Sequence, residues 1–140
     1  MKTLTLPIDL CHASCYQYAP ARGGLCRVSG SKKQLLTRVG TKTPRGRQTR
    51  INRILYQEKH LVYFMFHNLL PTAIEYRDGN VENARIDNLY VPPTARYRPY
   101  RIYTPQNLNH SYILAAPIYD LATGERNNPQ LVDCPMDKAA

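Results

Sequence analysis

The stretch from Ile74 to Tyr90, IEYRDGNVENARIDNLY, concentrates side chains that could take part in hydrolytic chemistry. Asp78, Asn80, Glu82 and Asp87 place oxygen donors within a short segment, and such ligands suit a hard cation such as Mg²⁺. The same residue types are common in turns, because Asp and Asn side chains hydrogen-bond to nearby backbone groups. The sequence therefore allows either a cation-binding loop or an ordinary turn.

A second group of potential metal ligands lies near the N-terminus. Cys11, His12, Cys15 and Cys26 could supply soft ligands to zinc. Their spacing is irregular, whereas structural zinc sites normally use two well-spaced pairs, so buried or free thiols are the alternative. With Cys134 the chain has four cysteines and no obvious disulfide framework, which predicts reduced thiols.

Charge is unevenly distributed along this chain of 140 residues and net charge +9. No acidic residue occurs between Asp9 and Glu58, yet more than half of the 19 Lys and Arg residues fall there. They are Arg22, Arg27, Lys32, Lys33, Arg38, Lys42, Arg45, Arg47, Arg50 and Arg53. Cations without compensating carboxylates repel one another unless a polyanion neutralises them, so nucleic acid is the predicted partner. A solvated basic loop, or a patch for an acidic protein, is the alternative.

Short runs of strand-forming residues separated by Gly, Ser and Pro fill residues 23 to 60, which predicts a small antiparallel sheet. The clearest hairpin pairs RQTRI with ILYQ around a two-residue turn at Asn52 and Arg53. Asn tolerates the positive φ that such a turn requires.

A helix is predicted from Glu58 to Leu69, because four apolar residues share one helical face and Pro71 follows the expected end. The four residues are Leu61, Val62, Met65 and Leu69. His60 and His67 are seven residues apart on this helix, so they share roughly one face. They could either reach the loop that follows or serve as packed or surface groups.

The order of these parts resembles the HNH homing-endonuclease-like family common in bacteriophages. A basic hairpin is followed by HLVYFMFHNLLP and then by IEYRDGNVENARIDNLYV, and the likeness covers about residues 24 to 91. It implies an α+β fold with small antiparallel β-hairpins, a core helix and a degenerate ββα-metal (HNH-like) module. The C-terminal third departs from the family and is expected to form a β-rich extension. The expected organisation is an N-terminal arm at 1–21, a basic hairpin with the HNH-like domain at 22–93, and an extension at 94–140.

The resemblance also implies a role for each motif position. The family uses a His as general base, because imidazole titrates near working pH, and Tyr76 occupies that place. A phenol with a reference pKa of about 10 is a poor base at neutral pH. The metal-ligating Asp corresponds to Glu75, the middle Asn to Ala84, and the last polar ligand to Asn88. Lys59 stands where the family commonly has a His. These departures predict a nuclease-deficient protein, with no cofactor expected except Mg²⁺ if the site is active.

Arg and Tyr interleave in ARYRPYRIYTPQ, residues 95 to 106. The guanidinium groups could reach phosphates while the Tyr rings stack on unpaired bases. The alternative is a strand with its Tyr side chains on the core and its Arg side chains in solvent. The full predicted nucleic-acid-binding set is Lys32, Lys33, Arg38, Lys42, Arg45, Arg47, Arg50, Arg53, Arg85, Arg96, Arg98 and Arg101.

Three functions remain open on these grounds. The first is a nucleic-acid-binding protein on a nuclease-deficient HNH scaffold, with DNA favoured over RNA. The second is a phage accessory protein that binds and modulates a host protein of nucleic-acid metabolism or defence. The third is an active metal-dependent endonuclease with a variant site. A membrane partner is not expected, because no apolar run approaches the ~20 residues of a spanning helix. The start MKTLTLPIDL has too short an apolar stretch for a secretory signal, so the expected location is the cytoplasm, that of the host cell for a phage protein.

Overall fold

A computed structural model of the chain describes residues 4–7, 16–28, 35–51, 53–103, 111–128 and 130–133. Within these ranges the protein is mixed α+β, with many short strands in small sheets and one α-helix. The predicted fold class is confirmed at that level. No helix in the described ranges is long and apolar enough to cross a membrane.

The elements are short and closely spaced. The strands, in chain order, are β1 (Leu4–Pro7), β2 (Tyr16–Ala19), β3 (Gly24–Val28), β4 (Leu35–Arg38), β5 (Thr41–Thr43), β6 (Gly46–Ile51), β7 (Ile54–Gln57), β8 (Leu70–Pro71), β9 (Glu75–Tyr76), β10 (Leu89–Tyr90), β11 (Tyr97–Arg98), β12 (Tyr100–Tyr103), β13 (Ser111–Leu114) and β14 (Leu131–Asp133). The helix α1 spans Glu58–His67, and 3₁₀ helices lie at Pro20–Arg22 and Ile86–Asn88.

These strands form small sheets that are mostly antiparallel. The largest has the order β1-β12-β13-β14, and its β1 runs parallel to β12, so the N-terminal and C-terminal parts of the chain share one sheet. Two three-stranded antiparallel sheets have the orders β2-β3-β4 and β5-β6-β7. Strand β9 pairs with β10, and β8 pairs with β11.

The predicted hairpin is confirmed as β6 and β7. Gln48 lies opposite Gln57, and Ile51 lies opposite Ile54, which leaves a two-residue turn. Arg53 in this turn has a φ of 68°, the left-handed conformation that tight hairpin turns use. Asn52, the other turn residue, lies outside the described residues.

The helix begins where it was predicted but ends earlier. Three of the four residues predicted to share a buried face are fully buried, whereas Leu69 is 41% exposed. Leu69 lies beyond the helix, which ends at His67 because Asn68 takes a left-handed φ of 60°. The Asn68 N–H donates to the Phe64 carbonyl at 2.8 Å, which satisfies one carbonyl of the last turn. Including Leu69 in the helical face was therefore wrong.

A buried ion pair ties the helix to the sheet before it. Glu58, in the first turn of α1, is 1% exposed and accepts from Arg38 Nη2 at 2.6 Å and Arg38 Nε at 3.2 Å. Its Oε2 also accepts from the Leu25 N–H at 2.9 Å. A Cβ at Gly24 would lie 2.6 Å from this oxygen, so only glycine leaves room for the carboxylate.

One core cluster contains side chains from all three predicted segments of the chain. Phe66 contacts Tyr18 edge-on at 4.9 Å between ring centroids and stacks on Tyr119 at 5.4 Å. Phe64 meets Tyr100 edge-on at 4.9 Å. The boundaries at 22 and 94 remain predictions, since this packing does not delimit separate units.

Candidate functional site

The segment proposed from sequence as a degenerate active site is a closed loop between two short strands. Leu89 lies opposite Tyr76, and Tyr90 lies opposite Glu75, so β9 and β10 bring both ends of the loop together. The Arg77 N–H donates to the Asn88 carbonyl at 2.7 Å, which continues the closure beyond the strands.

Asn88, which the sequence predicted as a metal-ligand position, forms hydrogen bonds that hold the loop together. Its side chain is buried, and its Nδ2 donates to Asp78 Oδ1 at 2.9 Å and to the Asn83 carbonyl at 2.8 Å. Its Oδ1 accepts from the Asp78 N–H at 3.1 Å. Both amide hydrogens and the amide oxygen are therefore engaged by the loop itself.

The Asp78 carboxylate is likewise used by neighbouring residues. Oδ2 accepts from the Asn83 side chain at 2.9 Å, and Oδ1 accepts from the Asn80 N–H at 2.8 Å in addition to Asn88. These bonds, that from Asn83 first, lower the pKa of the Asp78 carboxyl. The Asn80 Oδ1 accepts from the Glu82 N–H at 3.0 Å. The structure thus supports the turn interpretation of this segment, because its oxygen atoms organise the backbone.

The other two acidic residues of the loop do not converge on Asp78. Glu82 contacts Arg47 at 3.3 Å, and Asp87 is exposed in the 3₁₀ helix. Across the described ranges, no group of three His, Cys, Asp or Glu side chains is placed to hold a metal ion.

Asn83 has a role that sequence reasoning missed. Besides its bond to Asp78, its Oδ1 accepts from Arg85 Nη1 at 2.8 Å. Arg85 Nε in turn donates to the Pro20 carbonyl at 2.7 Å, so Asn83 links the loop to a distant turn. No spacing rule in the sequence marks this residue.

Tyr76, at the position of the predicted general base, is half-buried under the β5–β6 turn. A Cβ at Gly46 would lie 2.5 Å from the Tyr76 hydroxyl, so the missing side chain at position 46 makes room for the phenol. Burial, with smaller contributions from the carboxylates of Glu58 and Glu82, raises the pKa of Tyr76 to about 12. At neutral pH this phenol stays protonated and cannot take a proton from water.

Glu75 is exposed and makes a short hydrogen bond with a tyrosine rather than with the loop. Its Oε2 accepts from the Tyr90 hydroxyl on the paired strand. This bond raises the pKa of Tyr90. Glu75 remains the carboxylate best placed to meet solvent beside Tyr76.

An open cavity of about 510 Å³ adjoins these two residues. Glu75, Tyr76, Lys59, His60 and Arg45 contribute to its wall. Lys59 Nζ donates to the Ile74 carbonyl at 2.9 Å and lies 5.3 Å from the centre of the Tyr76 ring. The site therefore includes cations from both the helix and the β5–β6 turn.

The His60 side chain lies in the wall of this cavity, which also includes residues of the loop. Burial, followed by the positive charges of Lys59 and Arg98, lowers the pKa of His60 to about 4. The ring is neutral near pH 7, but so low a pKa makes it a weak base. His67 is not part of this wall, since it lies against the Tyr63 ring at 4.3 Å between centroids.

Ala84, at the middle Asn position, is completely buried. Its N–H donates to the Gly23 carbonyl at 2.8 Å, which holds the loop against the end of the first 3₁₀ helix, just before β3. An Asn at this position would bury an amide group with no partner prepared for it.

Three of the predicted nucleic-acid-binding cations make contacts within the protein. Arg38 pairs with Glu58, and its side chain is only 15% exposed. Arg47 contacts Glu82 and donates to the Val39 carbonyl at 3.3 Å. Arg85 is held by Asn83 and the Pro20 carbonyl.

The remaining predicted nucleic-acid-binding cations differ in their exposure to solvent. Lys32 and Lys33 lie outside the described residues, and Arg101 is partly buried in β12. The exposed members of the set are Lys42, Arg45, Arg50, Arg53, Arg96 and Arg98. The exposed members among the described residues thus form two groups, one on the β5-β6-β7 sheet and one near β11.

The described Tyr residues of the C-terminal segment neither all face a possible ligand nor all pack on the core. Tyr100 packs edge-on against Phe64 in the core, whereas Tyr97 is 46% exposed. Arg98 is exposed beside Tyr97, so the β11 end of this segment presents both residue types to solvent.

The proposed zinc ligands are only partly described. Cys26 is a free, fully buried thiol in β3. Cys11, His12 and Cys15 lie outside the described residues.

No protein-family model matches this chain, and no curated protein or solved structure matches it significantly. No relative therefore supplies a ligand or an activity for this site.

Proposed function

We propose that this chain is a DNA-binding protein built on an HNH-like scaffold whose hydrolytic site has lost its base. One observation carries the proposal: Lys42, Arg45, Arg50 and Arg53 are all exposed on or beside the β5-β6-β7 sheet. In the described part of the chain, Arg38 and Arg47 of the basic segment form ion pairs, with Glu58 and Glu82. Four exposed cations without carboxylate partners favour a polyanionic ligand.

The hydrolytic loop supports the second half of the proposal. Tyr76 has a pKa raised to about 12, and the Asp78 and Asn88 side chains are engaged in loop hydrogen bonds. A group that can neither accept a proton nor turn toward a substrate does not activate water. The loop is then a structural element that holds β9 and β10 beside the basic sheet.

Fluorescence anisotropy with a labelled DNA duplex, repeated at several salt concentrations, tests this function. Each phosphate contact contributes about −0.9 to the slope of log K against log salt, so we expect a slope of about −3 to −4. Combined Lys42→Ala, Arg45→Ala and Arg53→Ala substitutions should remove most of that slope. Arg126→Ala, which removes an exposed cation far along the chain, is the control and should leave binding unchanged. Absence of salt-dependent binding by the folded protein at low salt would refute the proposal.

Binding to a host protein remains a prediction from the sequence. Large exposed apolar side chains of the C-terminal segment, Tyr97, Leu121 and Val132, lie on different elements. No observation in the described residues selects a partner for them.

A further inference from the structure

The β5-β6-β7 sheet has one buried face and one solvent face. Side chains alternate across a strand, and Thr49, Ile51 and Tyr56 are buried on the face toward the core. Gln48 lies between Thr41 and Gln57 across the three strands, and Arg50 lies opposite Leu55. The solvent face is thus made by Thr41, Gln48, Arg50 and Leu55, which we call the outer face, whereas Gln57 buries its side-chain oxygen.

We propose that this outer face enters the major groove of duplex DNA and reads base edges with Gln48 and Arg50. The inference rests on the proposed DNA-binding function and deepens it, because it assigns sequence recognition to one surface. The outer face contains no acidic residue, and the chain around it has none between Asp9 and Glu58.

The dimensions of the sheet suit that groove. The B-DNA major groove is about 12 Å wide and admits a two-stranded β-ribbon, and β6 with β7 forms such a ribbon with its strands about 4.8 Å apart. Gln48 and Arg50 are two residues apart on β6 and point to the same side, a separation of roughly 7 Å. Stacked bases are about 3.4 Å apart, so the two side chains would meet base pairs two steps apart.

The side chains on the outer face match the hydrogen-bonding groups of the major groove. Arg binds guanine O6 and N7 with two hydrogen bonds, and Gln binds adenine N6 and N7 in the same manner. Leu55, which is 52% exposed beside Arg50, offers an apolar contact to a thymine methyl group. These residues discriminate between bases, whereas a purely electrostatic surface would need only Lys and Arg.

The two turns of the sheet place further cations at its ends. Arg45 lies in the turn before β6 and Arg53 in the turn after it, and both are exposed. At opposite ends of a six-residue strand they would contact phosphates on either side of the bases that β6 reads. Arg50 is then the base reader, and Arg45 and Arg53 position the sheet.

The outer face also argues against other nucleic acids. It has no aromatic side chain on which unpaired bases could stack. The major groove of A-form RNA is deep and narrow, so side chains of a sheet do not read it. Duplex DNA is the form of nucleic acid that fits.

Selection of preferred sites from a pool of duplexes with a random centre tests the inference. We expect a short motif with a guanine and an adenine two base pairs apart. Arg50→Ala should lower affinity for the selected site by about 10-fold or more and abolish preference at the guanine alone. Gln48→Ala should do the same at the adenine. Arg53→Ala should weaken binding to every sequence equally and reduce the salt slope by about one.

The outcomes separate this inference from the function on which it rests. Salt-dependent duplex binding with no sequence preference, or a preference unchanged in both Gln48→Ala and Arg50→Ala, overturns major-groove readout and leaves DNA binding in place. Preferential binding to single strands or to duplex RNA overturns it as well. Failure of the folded wild-type protein to bind any nucleic acid overturns both. Both variants replace solvent-exposed or partly exposed side chains, so their thermal unfolding should match that of the wild type.

Discussion

Asn88 and Asp78 hold each other in a reciprocal pair: the Asn88 Nδ2 donates to Asp78 Oδ1 at 2.9 Å, and the Asp78 N–H donates to Asn88 Oδ1 at 3.1 Å. In the family pattern this Asn is a cation ligand, but here its amide hydrogens are as important as its oxygen. The pair helps to close the loop between β9 and β10 through the protein's own hydrogen bonds.

Asn88→Asp should be destabilising. The substitution replaces two donors by a carboxylate that faces Asp78 Oδ1 and the Asn83 carbonyl, so we expect a loss of about 1 to 3 kcal/mol in the free energy of unfolding. Urea denaturation measures it. Asn80→Asp is the matched control, because its oxygen can still accept from the Glu82 N–H, and it should change stability by less than about 0.5 kcal/mol. A metal-ligating Asn88 would instead tolerate Asp and bind Mg²⁺ more tightly.

Arg38→Ala should affect stability and leave DNA binding intact. The substitution leaves the buried Glu58 carboxylate without its partner, which costs roughly 3 kcal/mol. Arg45→Ala, an exposed counterpart, should cost less than about 0.5 kcal/mol. The salt dependence of DNA binding, measured well below the unfolding temperature, should be unchanged by Arg38→Ala. If Arg38→Ala reduced the salt slope while stability stayed the same, Arg38 would belong to the DNA-binding surface.

The wild-type protein should leave supercoiled plasmid uncut with Mg²⁺ or Mn²⁺. The pKa of Tyr76 is raised to about 12, so only about 0.1% of this phenol would be ionised at pH 9, and even less at pH 7. Raising the pH within this range should therefore not produce nicking. Robust cutting by the wild type that is lost in Glu75→Ala would show that the site is catalytically active and refute this prediction.

Tyr76→His tests the scaffold itself. An imidazole titrates near neutral pH and would restore a base beside Glu75, but the Asn88 amide is held by Asp78 and Asn83, so Tyr76→His alone should still leave plasmid uncut with Mg²⁺ or Mn²⁺. Adding Ala84→Asn should not help, because position 84 is fully buried and the new amide would cost about 1 to 3 kcal/mol of stability. Plasmid assays and thermal unfolding of both variants distinguish a missing base from a misfolded loop. Metal-dependent nicking by a well-folded Tyr76→His protein would show that the missing base was the single defect of an HNH-like site.

Stability should fall as the pH is lowered from about 6.5 to about 4. The pKa of His60 is lowered from 6.5 to about 4, so the unfolded chain gains a proton in this interval that the folded protein does not bind. The stability is fully present above pH 6.5 and decreases by up to about 1.4 kcal/mol per unit, roughly 3 kcal/mol in all. Urea denaturation at pH 7, 6 and 5 should show this decrease in the wild type and much less of it in His60→Gln. His67→Gln, at a less buried ring on the same helix, should retain most of it. Equal pH dependence in all three proteins would refute the assignment to His60.

The sequence by itself determined the elements whose residues are close in the chain. The β6–β7 hairpin, the start of α1 and the turn at Asp78 follow from turn residues and local periodicity, and all three are present. Leu69 was misplaced because periodicity cannot register that Asn68 takes a left-handed conformation. The order of motifs predicted a base position at Tyr76, but the environment of its phenol depended on packing, as the space that Gly46 leaves for Tyr76 demonstrates.

Only the tertiary structure decided which cations are available to a ligand. Arg38 and Arg50 look alike in a basic, acid-free segment, yet one meets Glu58 in the interior and the other faces solvent. The parallel pairing of β1 with β12, which joins the two ends of the described chain, was equally unforeseen. The physical reason is that ion pairs, burial and sheet pairing join residues far apart in the chain. Local propensity contains no information about which distant groups will meet.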